Sequence, residues 1–328
     1  MGGIGVIFSS PAWAPPFPPH LTAGNTYVVN TIADGTGVGA CSTGGLCSFR
    51  QAVDQYDLDA GVGPSPFLHF FNQDQITFAA TPCGQLQLCN DPLYNIAIYG
   101  NVVFDNPNGV SLTVTGNGQA VTQIDGGGSA DLHILDAAPV TFSDLTMFDG
   151  YSSDCGGGIL NNGGTVTVNG STLIDNTAVS DGAGICNLNG TVNLNEATVI
   201  GNNNPEPAED GGGIYNAGGD LQINGSTIED NGAGIAGGGI YNAEVGGTQA
   251  WLFGTTVEEN TAGTYGGGVY NACGSFYFGA TGDAVINNAP DNFYQQPCSS
   301  FPGFPPGFVF PGLPPGFPPG IGLIDPVP

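Results

Sequence analysis

No lysine occurs in this 328-residue chain, and its only cationic side chain is Arg50. A surface without a cationic patch cannot neutralise phosphates, which excludes nucleic acid as a partner. The same lack disfavours anionic lipid surfaces and polyanionic substrates. Acid is not abundant either. There are 28 carboxylates and a formal charge of −27, yet only 9% of residues are charged. The surface must therefore be covered mainly by Asn, Ser, Thr, Gln and Gly. No apolar run reaches the ~18 residues that would span a bilayer. There is no CxxC pair, and His20, His69 and His133 are scattered, which argues against zinc.

Eight cysteines are present, an even number that points to an oxidising compartment in so acidic a chain. Proximity pairs Cys41 with Cys47, Cys83 with Cys89 and Cys273 with Cys298, which leaves Cys155 either for Cys186, although ladder alignment sets Cys186 over Leu160, or for another chain. The opening MGGIGVIFSSPAWA has a short apolar run and an Ala12-x-Ala14 end. It reads either as a degenerate export signal, lacking the basic start, or as a structural arm.

Glycine is plentiful, and it recurs. GGGIYN stands at Gly211–Asn216 and Gly237–Asn242, with near-copies at Gly156–Asn161, Gly182–Asn187 and Gly266–Asn271. The apolar residue after each glycine triplet falls at Ile159, Ile185, Ile214, Ile240 and Val269, at intervals of 26, 29, 26 and 29. A threonine column (146, 172, 198, 227, 256) and an asparagine column (176, 202, 231, 260) share these intervals. Three columns with one period are a strong repeat signal.

Between the columns lie short alternating runs, Thr165–Asn169 (TVTVN), Thr191–Asn195 (TVNLN) and Asp220–Asn224 (DLQIN). Alternation with β-branched residues predicts strands, and the glycine and NG dipeptides predict turns. A strand-only unit of this length is one coil of a parallel β-solenoid, since propeller blades need ~40–50 residues. Equal positions then stack at ~4.8 Å. The glycines predict a tight corner with positive φ, the isoleucine an inward side chain, and the asparagine an amide bonded to its copy in the next coil. Upstream, Ile76–Phe78, Ile96–Tyr99, Leu112–Val114, Val121–Ile124 and Val140–Phe142 read as further strands.

The expected fold is an all-β, right-handed parallel β-helix of about ten coils, a rod of ~50 Å. Its expected body is 25–298, with regular repeats over 140–290 and a cap over 41–56. The cap centres on Ser48–Tyr56 (SFRQAVDQY), whose Phe49, Ala52, Val53 and Tyr56 fit one face of a helix. Arg50 falls in that cap, in the expected role of pairing a carboxylate.

YVVNT at Tyr27–Thr31, CSFRQAV at Cys47–Val53, TQIDGGG at Thr122–Gly128 and the GGGI, NGST and DNTA units follow in order. This series resembles prokaryotic surface proteins that carry a CSLREA-like N-terminal motif. The bodies of those proteins are right-handed β-helices of polymorphic outer-membrane-protein-type repeats. The resemblance covers roughly residues 25–298 and departs from the motif at Phe49, Gln51 and Val53, where Leu, Glu and Ile would stand. It implies export to the outside or surface of a prokaryotic cell and a β-helix, and no particular activity.

An enzyme is not expected. Polysaccharide lyases of this fold use a basic residue to take the proton beside a uronate carboxyl, and here there is no lysine and the one arginine, Arg50, falls in the expected cap. Hydrolysis needs two carboxylates at a set separation, and the acids here recur at turns in register with the repeat. His133 lies in the alternating run ADLHILDA and reads as part of a strand. Three other groups invite a role. Glu229 with Glu258, Asp230 with Glu259, and Asp181 with Asp210 would stack as like charges, an arrangement that suits Ca²⁺ unless the turns splay them into water. Tyr215, Tyr241 and Tyr270 would form a ladder, either a platform for carbohydrate, a lateral contact, or simple stabilisation of the coil. The sequons at Asn169, Asn189 and Asn224 read as turn chemistry.

The two ends differ from the body. Residues 299–328 include FPGFPPGFVFPGLPPGFPP, whose glycine spacing is not that of collagen. It should be extended and polyproline-II-like. It carries Phe301, Phe304, Phe308, Phe310, Leu313 and Phe317, and its one charge is Asp325. Residues 1–24 hold PAWAPPFPPH, with Trp13 and Phe17. Apolar segments of this size call for a partner surface, either another copy of the chain or the rod itself. The expected function is that of a secreted, non-catalytic structural protein that polymerises through these ends into a filament or surface layer. A surface adhesin or glycan-binding module is the alternative, and a polysaccharide-active enzyme is a distant third.

Overall fold

The computed structural model describes residues 26–29, 51–52, 73–78, 94–97, 102–105, 111–128, 132–135, 139–204, 209–243, 247–279 and 282–296. These residues form a β-solenoid. Its strands stack into one nine-stranded sheet and two eight-stranded sheets, with two small two-stranded ladders beside them. Neighbouring strands are one coil apart in sequence and run parallel. The nine-stranded sheet, here the long sheet, holds the alternating runs such as Thr165–Asn169 and Thr191–Asn195. The short sheet holds three-residue strands such as Thr172–Ile174. The corner sheet holds the strands that follow the glycine triplets, such as Ile214–Ala217.

The alternation has the expected consequence. In Thr165–Asn169 the valines face inward and the threonines outward, and the same pattern repeats at Thr191–Asn195 and Asp220–Asn224. One coil supplies Ile185, Val192, Leu194 and Val199 to the core, and the next supplies Ile214, Leu221, Ile223 and Ile228, all fully buried. Aliphatic side chains therefore stack on their own kind along the axis. The two periods have a simple origin. Extra residues fall between Ile200 and Ile214, and again between Ile240 and Gln249, in the connections and not in the strands. The strands keep their register across both, as Thr198 with Thr227 and Ile240 with Val269 show.

The corner motif is built from two kinds of glycine. Only the first of each triplet has a left-handed backbone, for example φ 66° at Gly211 and at Gly237. This corrects the expectation that the whole triplet would do so. The third glycine, and the second in every coil but the one that has Ala183 there, are required by close approach. A Cβ on Gly238 would stand 2.2 Å from the Thr261 carbonyl oxygen, and one on Gly239 would stand 2.6 Å from that of Gly268. The corner's isoleucine is buried, as expected.

The corner's asparagine begins a buried amide ladder. Nδ2 of Asn161 donates to Oδ1 of Asn187 (2.8 Å), Asn187 to Asn216 (2.7 Å), Asn216 to Asn242 (2.9 Å) and Asn242 to Asn271 (2.8 Å). The last amide donates to Oε1 of Gln295. The second asparagine column does the same at the turn after the short sheet, from Asn176 through Asn202, Asn231 and Asn260 to Asn288. There each Oδ1 also accepts the backbone N–H of the preceding asparagine, as Asn202 does from Asn176. A third ladder, Asn224 to Asn195 to Asn169, is half-buried at the end of the long strands. It holds two of the three sequons as turn chemistry, while Asn189 occupies a left-handed turn position.

Of the expected capping helix, Gln51 and Ala52 are described. Both are helical, and Ala52 is buried in the main core. The rest of the cap, with Arg50, lies outside the described residues, as do both Pro-rich ends with Trp13, Phe17, Phe301, Phe304, Phe308, Phe310, Leu313 and Phe317.

The ladders predict an unequal response to the same substitution. Asn202→Ala removes donors and an acceptor from a buried site and strands the amide of Asn176, which should cost about 2–4 kcal/mol. Asn169→Ala, in the half-buried ladder, should cost less than about 1 kcal/mol. Urea midpoints of the two variants beside the parent measure both.

Candidate functional site

On the outer side of the corner sheet, Tyr215, Tyr241 and Tyr270 stand in register, with Cys186 and Leu160 before them. The phenol rings stack: Tyr215 on Tyr241 with centroids 5.3 Å apart, and Tyr241 on Tyr270 at 4.9 Å. The expected ladder is therefore present, and it is longer than the repeat indicated. Tyr294 continues it at 5.3 Å, and Tyr265 closes over Tyr294 at 4.5 Å from the connection before the corner. Tyr294 falls only 24 residues after Tyr270, outside both intervals, so the period could not announce it. Parallel, near-planar stacking turns the ring faces toward one another and leaves edges and hydroxyls outward. One such hydroxyl, of Tyr270, donates to Oε1 of Gln296 at 2.8 Å.

The carboxylates of Asp181 and Asp210 lie beside these rings, in the residue column just before the first corner glycine. Each acts on the next coil's backbone. Oδ1 of Asp181 accepts the N–H of Asp210 at 3.0 Å, and Oδ1 of Asp210 accepts that of Ala236 at 3.0 Å. Asp291 accepts the N–H of Gly266, in the coil before its own, at 2.7 Å. Partial burial, then the neighbouring Asp181 charge, push Asp210 up to about 7, against the backbone bond from Ala236. Burial raises Asp181 as well. Burial and the two aspartates push Tyr215 up to about 12, and burial with Asp210 raises Tyr241. The tyrosines thus remain protonated donors, one of which, Tyr241, bonds to Asp210. The arrangement is a row of hydroxyls beside acids that are already engaged by backbone N–H groups.

The other candidate acids are arranged differently. Glu229 and Glu258 are direct register partners at the outer end of the short sheet. Asp230 and Glu259, the next residues, both adopt left-handed backbone at the turn, with φ 52° and 56°. Asp144, Asp149, Asp175 and Glu196 take left-handed backbone at other coils' turns. Among the described residues no three His, Cys, Asp or Glu side chains converge as a metal centre would require.

Cys155 and Cys186 are joined by a disulfide with Cα atoms 5.7 Å apart. Cys186 is in register with Leu160, as the ladder alignment requires. The corner bend carries Cys155 back against both, so that the three form a small core of their own with Leu188 and Tyr215 packed on it. Cys273 is also disulfide-bonded. Cys41, Cys47, Cys83, Cys89 and Cys298 lie outside the described residues.

A second aromatic cluster was not singled out by the repeat columns. Trp251 and Tyr277 stack on the outer face of the long sheet, 5.6 Å apart, and Phe253 beside them is 45% exposed. The outward positions in question hold threonine, asparagine and glutamine in earlier coils, so the columns carried no aromatic signal until the last two. Comparison with family models, with curated proteins and with solved structures finds no match for this chain.

The aspartate pair predicts a pH dependence. A carboxyl whose folded pKa is raised binds a proton in the folded chain before it does so in the unfolded one. Stability from this group is therefore present at acid pH and is lost as pH rises from about 4 towards about 7. Asp210→Asn should raise the melting temperature at pH 8 by a few degrees relative to the parent, with the difference shrinking as pH falls to 5. Thermal melts of both proteins across that range measure it.

Proposed function

We propose that the chain is an extracellular, non-catalytic structural protein. In this reading it is a right-handed parallel β-helix of about ten coils, capped near 41–56, whose copies join through the Pro- and Phe-rich ends into a filament or surface layer. The observation that carries the reading is the use of the interior. Two buried asparagine ladders and a stacked aliphatic core run through successive coils without a break in register. Such an interior makes a stiff rod, and stiffness is what a load-bearing subunit of an open polymer needs.

Further observations support it. Burial and backbone bonds occupy the acids nearest the tyrosines, which fits turn stabilisation better than acid–base catalysis. The tyrosine faces cover one another, which fits a stiffening ladder better than a platform for sugar rings. The Cys155–Cys186 disulfide fits an oxidising compartment. A net charge of −27 opposes contact between copies over the body of the rod. The ends are nearly free of charge, so contact is least opposed there. Contacts of this head-to-tail kind do not close and generate filaments.

Negative-stain electron microscopy of the full chain beside a version ending at Ser299 tests the proposal. Filaments or sheets from the full chain and single rods of ~50 Å from the shortened one are expected. Single rods from both would overturn assembly through the tail.

A further inference from the structure

The outer face of the long sheet changes character at one end. One outward column runs Thr113, Thr141, Thr167, Asn193, Gln222 and then Trp251 and Tyr277. The next outward column runs Thr115, Ser143, Asn169, Asn195, Asn224 and then Phe253. Small hydroxyls and amides give way to three large rings within two coils. Trp251 and Tyr277 stack nearly parallel, at 16°, and Phe253 lies against the backbone of Gly279 while leaving 45% of its surface open. An outward cluster of this size on an otherwise polar face points to a partner.

The path of the chain identifies that partner. Gln295 pairs with Asn271 in the corner sheet, and the last strand of the long sheet, Ser275–Phe278, begins four residues after Asn271. Ser299 likewise comes four residues after Gln295, so in sequence the tail begins one connection's length from the last described strand of the long sheet, which carries Tyr277. The segment that follows, FPGFPPGFVF at 301–310, is uncharged and alternates phenylalanine with proline and glycine. Proline cannot donate to a ladder, so this segment cannot extend the long sheet as a regular strand. Its chemistry suits a different contact: an extended proline-rich strand laid on flat aromatic rings, the mode by which polyproline segments are commonly held. Being tethered a few residues away gives it an effective concentration no free partner would match.

We infer that Trp251, Phe253 and Tyr277 form a docking surface for residues 301–310 of the same chain. The docked segment covers the rings and blocks the edge strand of the long sheet without offering a new one. Residues 311–328 then project from a fixed point at the end of the rod. This does not depend on the proposed assembly and narrows it, because it leaves residues 1–24 and 311–328, and not 301–310, to join copies.

Trp251 reports on the contact, because Trp13 is the only other tryptophan. In a full-length Trp13→Phe background, Trp251 emission should be shielded from acrylamide. Replacing Phe301, Phe304, Phe308 and Phe310 by serine should raise the quenching constant about threefold; an unchanged constant overturns the inference. Shielding should survive a ~100-fold dilution if the tail is the chain's own, and its loss on dilution would assign the rings to another copy's tail and overturn it.

Phe253→Ser gives a second route that leaves the core and the tail intact. Phe308–Val309 is the one phenylalanine bond in 301–310 not followed by proline, so chymotrypsin reads its release. Cleavage there should quicken about fivefold in the variant, and an unchanged rate overturns the inference. Micrographs of the same samples keep the two ideas apart. Filaments without shielding sink the docking alone, and shielding without filaments sinks the assembly alone.

Discussion

A carboxamide buried in a protein must find partners for two N–H donors and an oxygen. In this chain the partners of each ladder asparagine are largely its own copies above and below, with nearby carbonyls taking the second N–H. Asn187 accepts from Asn161 and donates to Asn216, with the remaining donor reaching the Gly190 carbonyl. The solution works only if every coil puts the same group at the same height. Register is thereby fixed from inside, and a slip of one residue would leave a whole column of amides unpaired. The ladder also shows its own boundary. Asn161 has Ile134 as its register partner on the N-terminal side, a residue with no side-chain donor, and among the described residues Oδ1 of Asn161 is one of two buried side-chain polar atoms left without a hydrogen-bond partner. At the other end glutamine takes over at Gln295.

The remaining features follow from that register. If one column must repeat, all columns repeat, and whatever faces outward becomes a stripe. Stripes of threonine and asparagine are neutral. Stripes of tyrosine stack, and the stripe of aspartate beside them raises its own proton affinity until charge is partly shed near neutral pH. Insertions are tolerated only in the connections, which explains how a coil can lengthen while Thr198 still lies under Thr227. The glycine triplets are the narrowest point. Backbone from successive coils passes so close there that a single methyl on Gly238 has no room.

The solenoid, its strands, its inward isoleucines and one of its amide ladders were legible in the sequence because repetition multiplies weak local signals. Thr165–Asn169 alone is any short strand, but three such runs with one period are a coil. The division of labour within GGG was not legible, since φ and close approach both select glycine. The pairing of Cys155 with Cys186 was offered by elimination but left open against a bond to another chain, and the structure decides it. Ladder alignment sets Leu160, not Cys155, in register with Cys186, and only the corner bend brings Cys155 alongside. Tyr265, Tyr294, Trp251 and Tyr277 escaped notice for a common reason. They stand only in the last members of a column or off the period, near the end of the rod, where the repeat yields to whatever must finish it.

The central claim is that stacked amides hold the coils in one register from about Asn161 to Gln295. Hydrogen exchange of the native protein, followed by mass spectrometry or NMR, tests it most directly. The backbone amides of Asn176, Asn202, Asn231 and Asn260 each donate to the next asparagine's side chain. The account predicts that they exchange as slowly as the strand amides around them and open together as one block. Exchange at these four positions as fast as at exposed turns such as Gly247, with the strands still protected, would contradict it.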